Sequence, residues 1–154
     1  MKLDWQAPSR RHVLLAGAAG IAAVATVSRE ALAKPEDVAA EIKKMFPSGT
    51  PAEGKVKIDL PSIAENGLVV PLGFEVESPM SEKDFVKRVA IFAEANPTPM
   101  VATYNYTAAV PKASAQLRIR LAATQNIVVV AEMSDGKLYT AKKECKVTVG
   151  GCGG

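Results

Sequence analysis

Ala115-Gln116-Leu117-Arg118-Ile119-Arg120-Leu121 is the stretch whose reading decides the fold. Ala115, Leu117, Ile119 and Leu121 alternate with Gln116, Arg118 and Arg120, a period of two. Successive side chains on a strand point to opposite faces, so the pattern predicts a half-buried β-strand with a charged outer face.

The same period recurs on both sides. Upstream, Val56, Ile58 and Leu60 alternate with Lys55, Lys57 and Asp59, and Val101, Thr103 and Asn105 alternate with Ala102, Tyr104 and Tyr106. Phe85 to Phe92 is a further strand, ended by Asn96-Pro97-Thr98-Pro99. Leu68-Val69-Val70 and Phe74-Glu75-Val76 bracket Pro71, which cannot donate to a ladder and so predicts an edge or bulged strand. Downstream, Ile127 to Met133 and Leu138 to Ala141 form a hairpin about Ser134-Asp135-Gly136, and Glu144 to Val149 is the last strand. Short strands at this spacing, with turn signals between them, predict an all-β sandwich. A short amphipathic helix precedes them. Pro35 suits its first turn, Glu36 and Asp37 its positive end, and Val38, Ile42 and Phe46 one face. Lys43 and Lys44 lie near its end, Pro47-Ser48-Gly49 stops it, and its apolar face is expected to pack on the domain.

Residues 1–33 read as a leader. Arg10-Arg11 precedes a mild apolar run from Val13 to Val27, and Ala31-Leu32-Ala33 is a small-x-small cleavage pattern. The run is shorter than the ~20 residues a bilayer span needs, so cleavage is favoured over an anchor or a buried Ala-rich helix. The pattern predicts twin-arginine export to the periplasm and no membrane contact after cleavage. That route carries folded cargo, and with no cofactor motif present, a partner subunit is expected.

Composition excludes several functions. The chain's 19 basic and 16 acidic residues become 15 and 14 once Lys2, Arg10, Arg11, Arg29, Asp4 and Glu30 of the leader are set aside. A body so nearly neutral has no basic stripe for nucleic acid. His12, the one histidine, lies in the leader, and the two cysteines are seven positions apart. Neither a zinc site nor a haem attachment motif follows, so neither metal nor cofactor is expected.

The chemistry is expected in residues 150–154. Gly150, Gly151, Gly153 and Gly154 surround Cys152 after the strand that ends at Val149. Glycine adds backbone freedom and no packing side chain, so this predicts a thin, flexible arm able to deliver a sulfur into another protein's cleft. No base lies within the arm, so catalysis is assigned to partners and the chain is read as a non-catalytic carrier. Cys152 as a substrate-bearing thiol is the preferred reading. A structural disulfide to Cys145 is its competitor in an oxidising compartment, although strand parity with Val147 and Val149 points Cys145 into the core. Lys142, Lys143 and Lys146 either favour the reactive thiolate and an anionic substrate or, more simply, form a solvated strand edge.

Val147-Thr148-Val149-Gly150-Gly151-Cys152-Gly153-Gly154 resembles the ending of the SoxY family. Ser78-Pro79-Met80, Ile91-Phe92-Ala93-Glu94 with Asn96-Pro97, Arg118 to Gln125 and Val130 to Gly136 extend the resemblance over most of residues 34–149. It implies an immunoglobulin-like sandwich paired with a SoxZ-like subunit in a SoxYZ heterodimer. It implies that SoxAX joins thiosulfate oxidatively to Cys152, that SoxB hydrolyses off sulfate, and that SoxCD oxidises the remaining sulfane sulfur. Cys145 departs from the pattern, which leads one to expect an aliphatic strand residue there. Two other classes of function stay open: a thiol–disulfide redox protein using Cys145 and Cys152, and a structural, partner-binding sandwich in which Cys152 forms an intermolecular disulfide.

Overall fold

The computed structural model describes residues 33–47 and 49–149. The expected leader up to residue 32, the arm with Gly150, Gly151, Cys152, Gly153 and Gly154, and Ser48 of the helix stop lie outside the described residues.

Helix α1 (Pro35–Met45) opens the described chain. The Lys34 N–H donates to the Asp37 carboxylate at 2.7 Å, meeting a backbone donor at the helix start. Nine strands follow: β1 (Ala52–Glu53), β2 (Val56–Asp59), β3 (Ile63–Asn66), β4 (Val70–Val76), β5 (Val86–Ala93), β6 (Met100–Asn105), β7 (Ala113–Ile119), β8 (Gln125–Met133) and β9 (Leu138–Val149). They form two sheets, β1-β9-β8-β5-β6 with β3 also paired to β9, and β2-β4-β7. The result is the expected all-β, immunoglobulin-like sandwich with one short helix before it.

The core explains the strand patterns. Leu72, Phe74, Val76 and Ile119 of the smaller sheet meet Val89, Ile91, Ile127, Val129 and Ala131 of the larger. β7 lies at an edge with one face covered, hence its alternation of buried or half-buried residues with exposed ones. β5 and β8 sit inside the larger sheet and are buried on both faces, because α1 covers the second one. There Val38 and Phe46 pack on Ala90, Phe92, Val128, Val130 and Leu138. Arg88 clamps this contact. Its guanidinium donates to the Met45 carbonyl at 3.2 Å, lies over the Phe46 ring and pairs with Glu132 at 2.8 Å.

Two expectations are corrected. β4 is the middle strand of its sheet, neither an edge nor bulged. Pro71 is accommodated because the β2 ladder ends at Asp59↔Gly73, so at Pro71 only β7 flanks the strand. The two terminal strands expected at Leu138–Ala141 and Glu144–Val149 are one, β9, whose ladder with β8 runs from Leu138 to Cys145 without a shift. β1 and β3, both parallel to β9, were not expected; they are too short to show a period.

Candidate functional site

The described chain ends where the expected arm begins, and the sandwich holds that root on both sides. The β8 ladder with β9 starts at Gln125↔Cys145, so β8 does not reach residues 146–149. β3 flanks them instead, in parallel register Ile63↔Lys146, Ala64↔Val147 and Asn66↔Val149. The Lys146 N–H donates to the Ser62 carbonyl at 2.9 Å and the Gly67 N–H to the Val149 carbonyl at 2.8 Å. On the other side, the Val147 N–H donates to Thr124 Oγ1 at 2.9 Å, a side chain standing in for the missing β8 residue. Strand order therefore persists to Val149. Two residues, Gly150 and Gly151, separate it from Cys152, whose Cα is three chain steps on and can lie at most ~10 Å beyond.

Several of the sequence stretches singled out above meet beside this root. Asn96 Oδ1 accepts from the Ala122 N–H at 3.0 Å and from Gln125 Nε2 at 2.8 Å, while its Nδ2 donates to the Arg120 carbonyl at 2.8 Å. Gln125 Oε1 accepts from the Ala95 N–H at 2.7 Å. These bonds pin the loop after β5 to the loop before β8, and so position Thr124. Ser78-Pro79-Met80 and the turn at Ser134 serve the opposite end: Met80 is buried in the core, and Ser134 Oγ accepts from the Phe85 N–H at 3.2 Å. Thr124 and Gly67 were not identified from sequence. Thr124 bonds 23 positions away, and nothing local announces such a partner.

Cys145 faces the core, as its parity predicts, with 0% of its surface exposed. Burial pushes its thiol up from the ordinary range, partly offset by a backbone hydrogen bond at Ala64. Its sulfur is thus neither accessible nor a ready thiolate. The lysines lie on stretches of β9 that are paired on one side only, Lys142 and Lys143 with β8 and Lys146 with β3, because β1 pairs only Tyr139 and Thr140. Lys142 pairs with Glu94 at 2.6 Å, and the other Glu94 oxygen accepts from Asn126 at 2.8 Å. Lys143 and Lys146 are exposed. A groove of about 1140 Å³ between α1 and β8–β9 is lined by residues including Val38, Ile42, Val128, Glu94 and Lys142; Cys145 is not among them.

The sequence profile of the family described as "Sulfur oxidation protein SoxY" matches residues 42–152. No curated protein matches the chain. Among solved structures, the sulfur carrier protein SoxY from Chlorobium limicola f thiosulfatophilum is 36% identical, with a TM-score of 0.63, over 74% of this chain and 98% of that one. A superoxide reductase (neelaredoxin) from Ignicoccus hospitalis aligns over 75% of this chain and 94% of its own at 16% identity and a TM-score of 0.55. A putative superoxide reductase from Thermotoga maritima aligns over 60% and 84% at 14% identity and a TM-score of 0.53. The last two likenesses show a shared fold and nothing of chemistry.

Proposed function

This chain belongs to the SoxY family, and from that membership we propose that it is a covalent carrier of sulfur intermediates in sulfur oxidation, acting as a subunit of a SoxYZ-type complex and without catalytic activity of its own. Cys152 is the attachment point, and Gly150, Gly151, Gly153 and Gly154 make the arm that presents it. The observation that carries this reading is that the family match runs through to Cys152, while the chain's second thiol is buried in the core.

The chemistry balances with thiosulfate as substrate. The Cys152 thiol and the sulfane sulfur of thiosulfate form an S–S bond, releasing one proton and two electrons to a haem protein of the SoxAX kind. Water then cleaves the S–SO₃ bond of the adduct in a SoxB-like enzyme. Sulfate and protons leave, and a persulfide remains on Cys152 for a SoxCD-like oxidase. The leader directs the protein to the periplasm by the twin-arginine route and is removed after Ala33, leaving residues 34–149 as the folded domain. The burial of Cys145 counts against a redox pair with Cys152, because the exchange reaction needs access to both sulfurs.

Intact-mass spectrometry of the exported protein from thiosulfate-grown cells, before and after reduction, with mapping of the C-terminal peptide, tests the proposal. A reducible sulfur adduct on Cys152 is expected. An unmodified Cys152, or one bridged to Cys145, overturns it.

A further inference from the structure

We propose that the folded domain guards the peptide bond between Ala33 and Lys34, so that the first turn of α1 must open before a processing peptidase can cut there. The inference rests on the leader reading above, in which the chain is exported folded and cut after Ala33, and adds what controls that cut.

Both residues of this bond are held by the domain. The Ala33 N–H donates to the Asn96 carbonyl at 3.0 Å. The Lys34 N–H, which belongs to the scissile peptide itself, donates to the Asp37 carboxylate at 2.7 Å. The Lys34 carbonyl accepts from the Asp37 N–H at 2.9 Å and from the Val38 N–H at 3.3 Å. These partners are themselves anchored. The Asn96 side chain bonds Ala122, Arg120 and Gln125, and Val38 is buried against Ala90, Phe92 and Val130 of the larger sheet.

A peptidase takes its substrate as an extended strand, through backbone hydrogen bonds on both sides of the bond it cuts. Lys34 is extended, with φ −114° and ψ 162°, but the helix begins at the very next residue. Pro35 fixes a helical φ there and has no N–H to offer an enzyme. The N–H groups of Ala33 and Lys34 are already engaged. Lys34 is thus exposed, yet its bond to Ala33 is out of an enzyme's grasp until Asp37 lets go and the first turn unwinds. Because opening precedes cutting, the rate follows the population of the open turn. Water then adds across the amide, leaving a carboxylate on Ala33 and an α-ammonium on Lys34. The turn recloses with that ammonium on the Asp37 carboxylate, a hydrogen bond in which donor and acceptor are now both charged.

The test follows cutting of the full-length precursor by a purified leader peptidase in detergent, with the new N-terminus read by mass spectrometry. Asp37→Ala removes the acceptor of the Lys34 N–H and should speed the cut by about fivefold, the effect of losing one helix cap. A Gly-Ser-Gly insertion between Lys34 and Pro35 moves the bond off the helix and should speed the cut at least as much. In the inserted chain Asp37→Ala should change nothing further, which separates the cap from any preference of the peptidase for alanine at that position. A wild-type rate in either the Asp37→Ala or the inserted precursor overturns the guard and leaves the leader reading standing. So does an Asp37→Ala effect that is the same with and without the insertion. A precursor cut elsewhere than after Ala33 overturns the leader reading, and the guard with it.

Discussion

Cys145 is a thiol by chemistry and a small hydrophobe by position. Its side chain closes the core behind the last turn of ladder between β8 and β9, opposite Gln125, and burial both hides the sulfur and disfavours the thiolate. Under native conditions a maleimide is expected to label Cys152 and leave Cys145 untouched until denaturant is added, as peptide mapping would show. A bridge between the two cysteines in the native protein would contradict this. Cys145→Ala should keep sulfur loading at Cys152 intact, whereas Cys152→Ser should abolish it. Cys145→Ser should lower unfolding stability by about 1–3 kcal/mol in urea titrations, because it buries a hydroxyl where a thiol sat among apolar groups.

At the scale of elements, β9 joins core to arm. Lys142, Lys143 and Glu144 interrupt its hydrophobic alternation, and read locally they divide it in two. Backbone hydrogen bonds from β8 are indifferent to that interruption and carry the strand through it. Beyond Cys145, order depends on β3 and on one hydroxyl. Thr124→Ala removes the acceptor of the Val147 N–H and should cost about 1 kcal/mol locally. Amide exchange at Val147 should quicken by roughly fivefold, with exchange in β5 unchanged and Thr124→Ser close to wild type. Equal acceleration in β5 would mean that Thr124 supports the whole domain and not the root of the arm.

For the whole molecule, the packing of α1 on the larger sheet is reinforced by a polar clamp that includes one acidic residue. Glu132 accepts from Lys87 at 3.1 Å and from Arg88 at 2.8 Å, and Arg88 in turn holds the end of α1. Burial alone raises the Glu132 pKa, but the hydrogen bonds from Lys87 and Arg88 outweigh it and bring the carboxyl below its ordinary value of 4.5. A carboxyl lowered in the folded state stabilises the fold above its unfolded pKa and loses that contribution as pH falls through the folded value. The thermal midpoint should therefore drop as pH falls below about 4.5, and Glu132→Gln should flatten that part of the profile while lowering the midpoint at neutral pH. A variant whose midpoint falls with acid as steeply as wild type would remove Glu132 from the account.

Much of this architecture is legible in the chain alone. The period of two in residues 115–121, the helical spacing of Val38, Ile42 and Phe46, and the parity of Cys145 each depend only on where neighbouring side chains point, which is a local property of the backbone. The SoxY resemblance was legible in the residues around Cys152 for the same reason, since a motif is contiguous. Three features were decided only in three dimensions. Pro71 sits in a central strand because a neighbour stops short of it, Thr124 secures a strand 23 positions away, and β3 comes to flank the last residues of β9 in parallel. Each depends on which segments become neighbours, and that is settled by packing two sheets and a helix together, a long-range balance that no local period records.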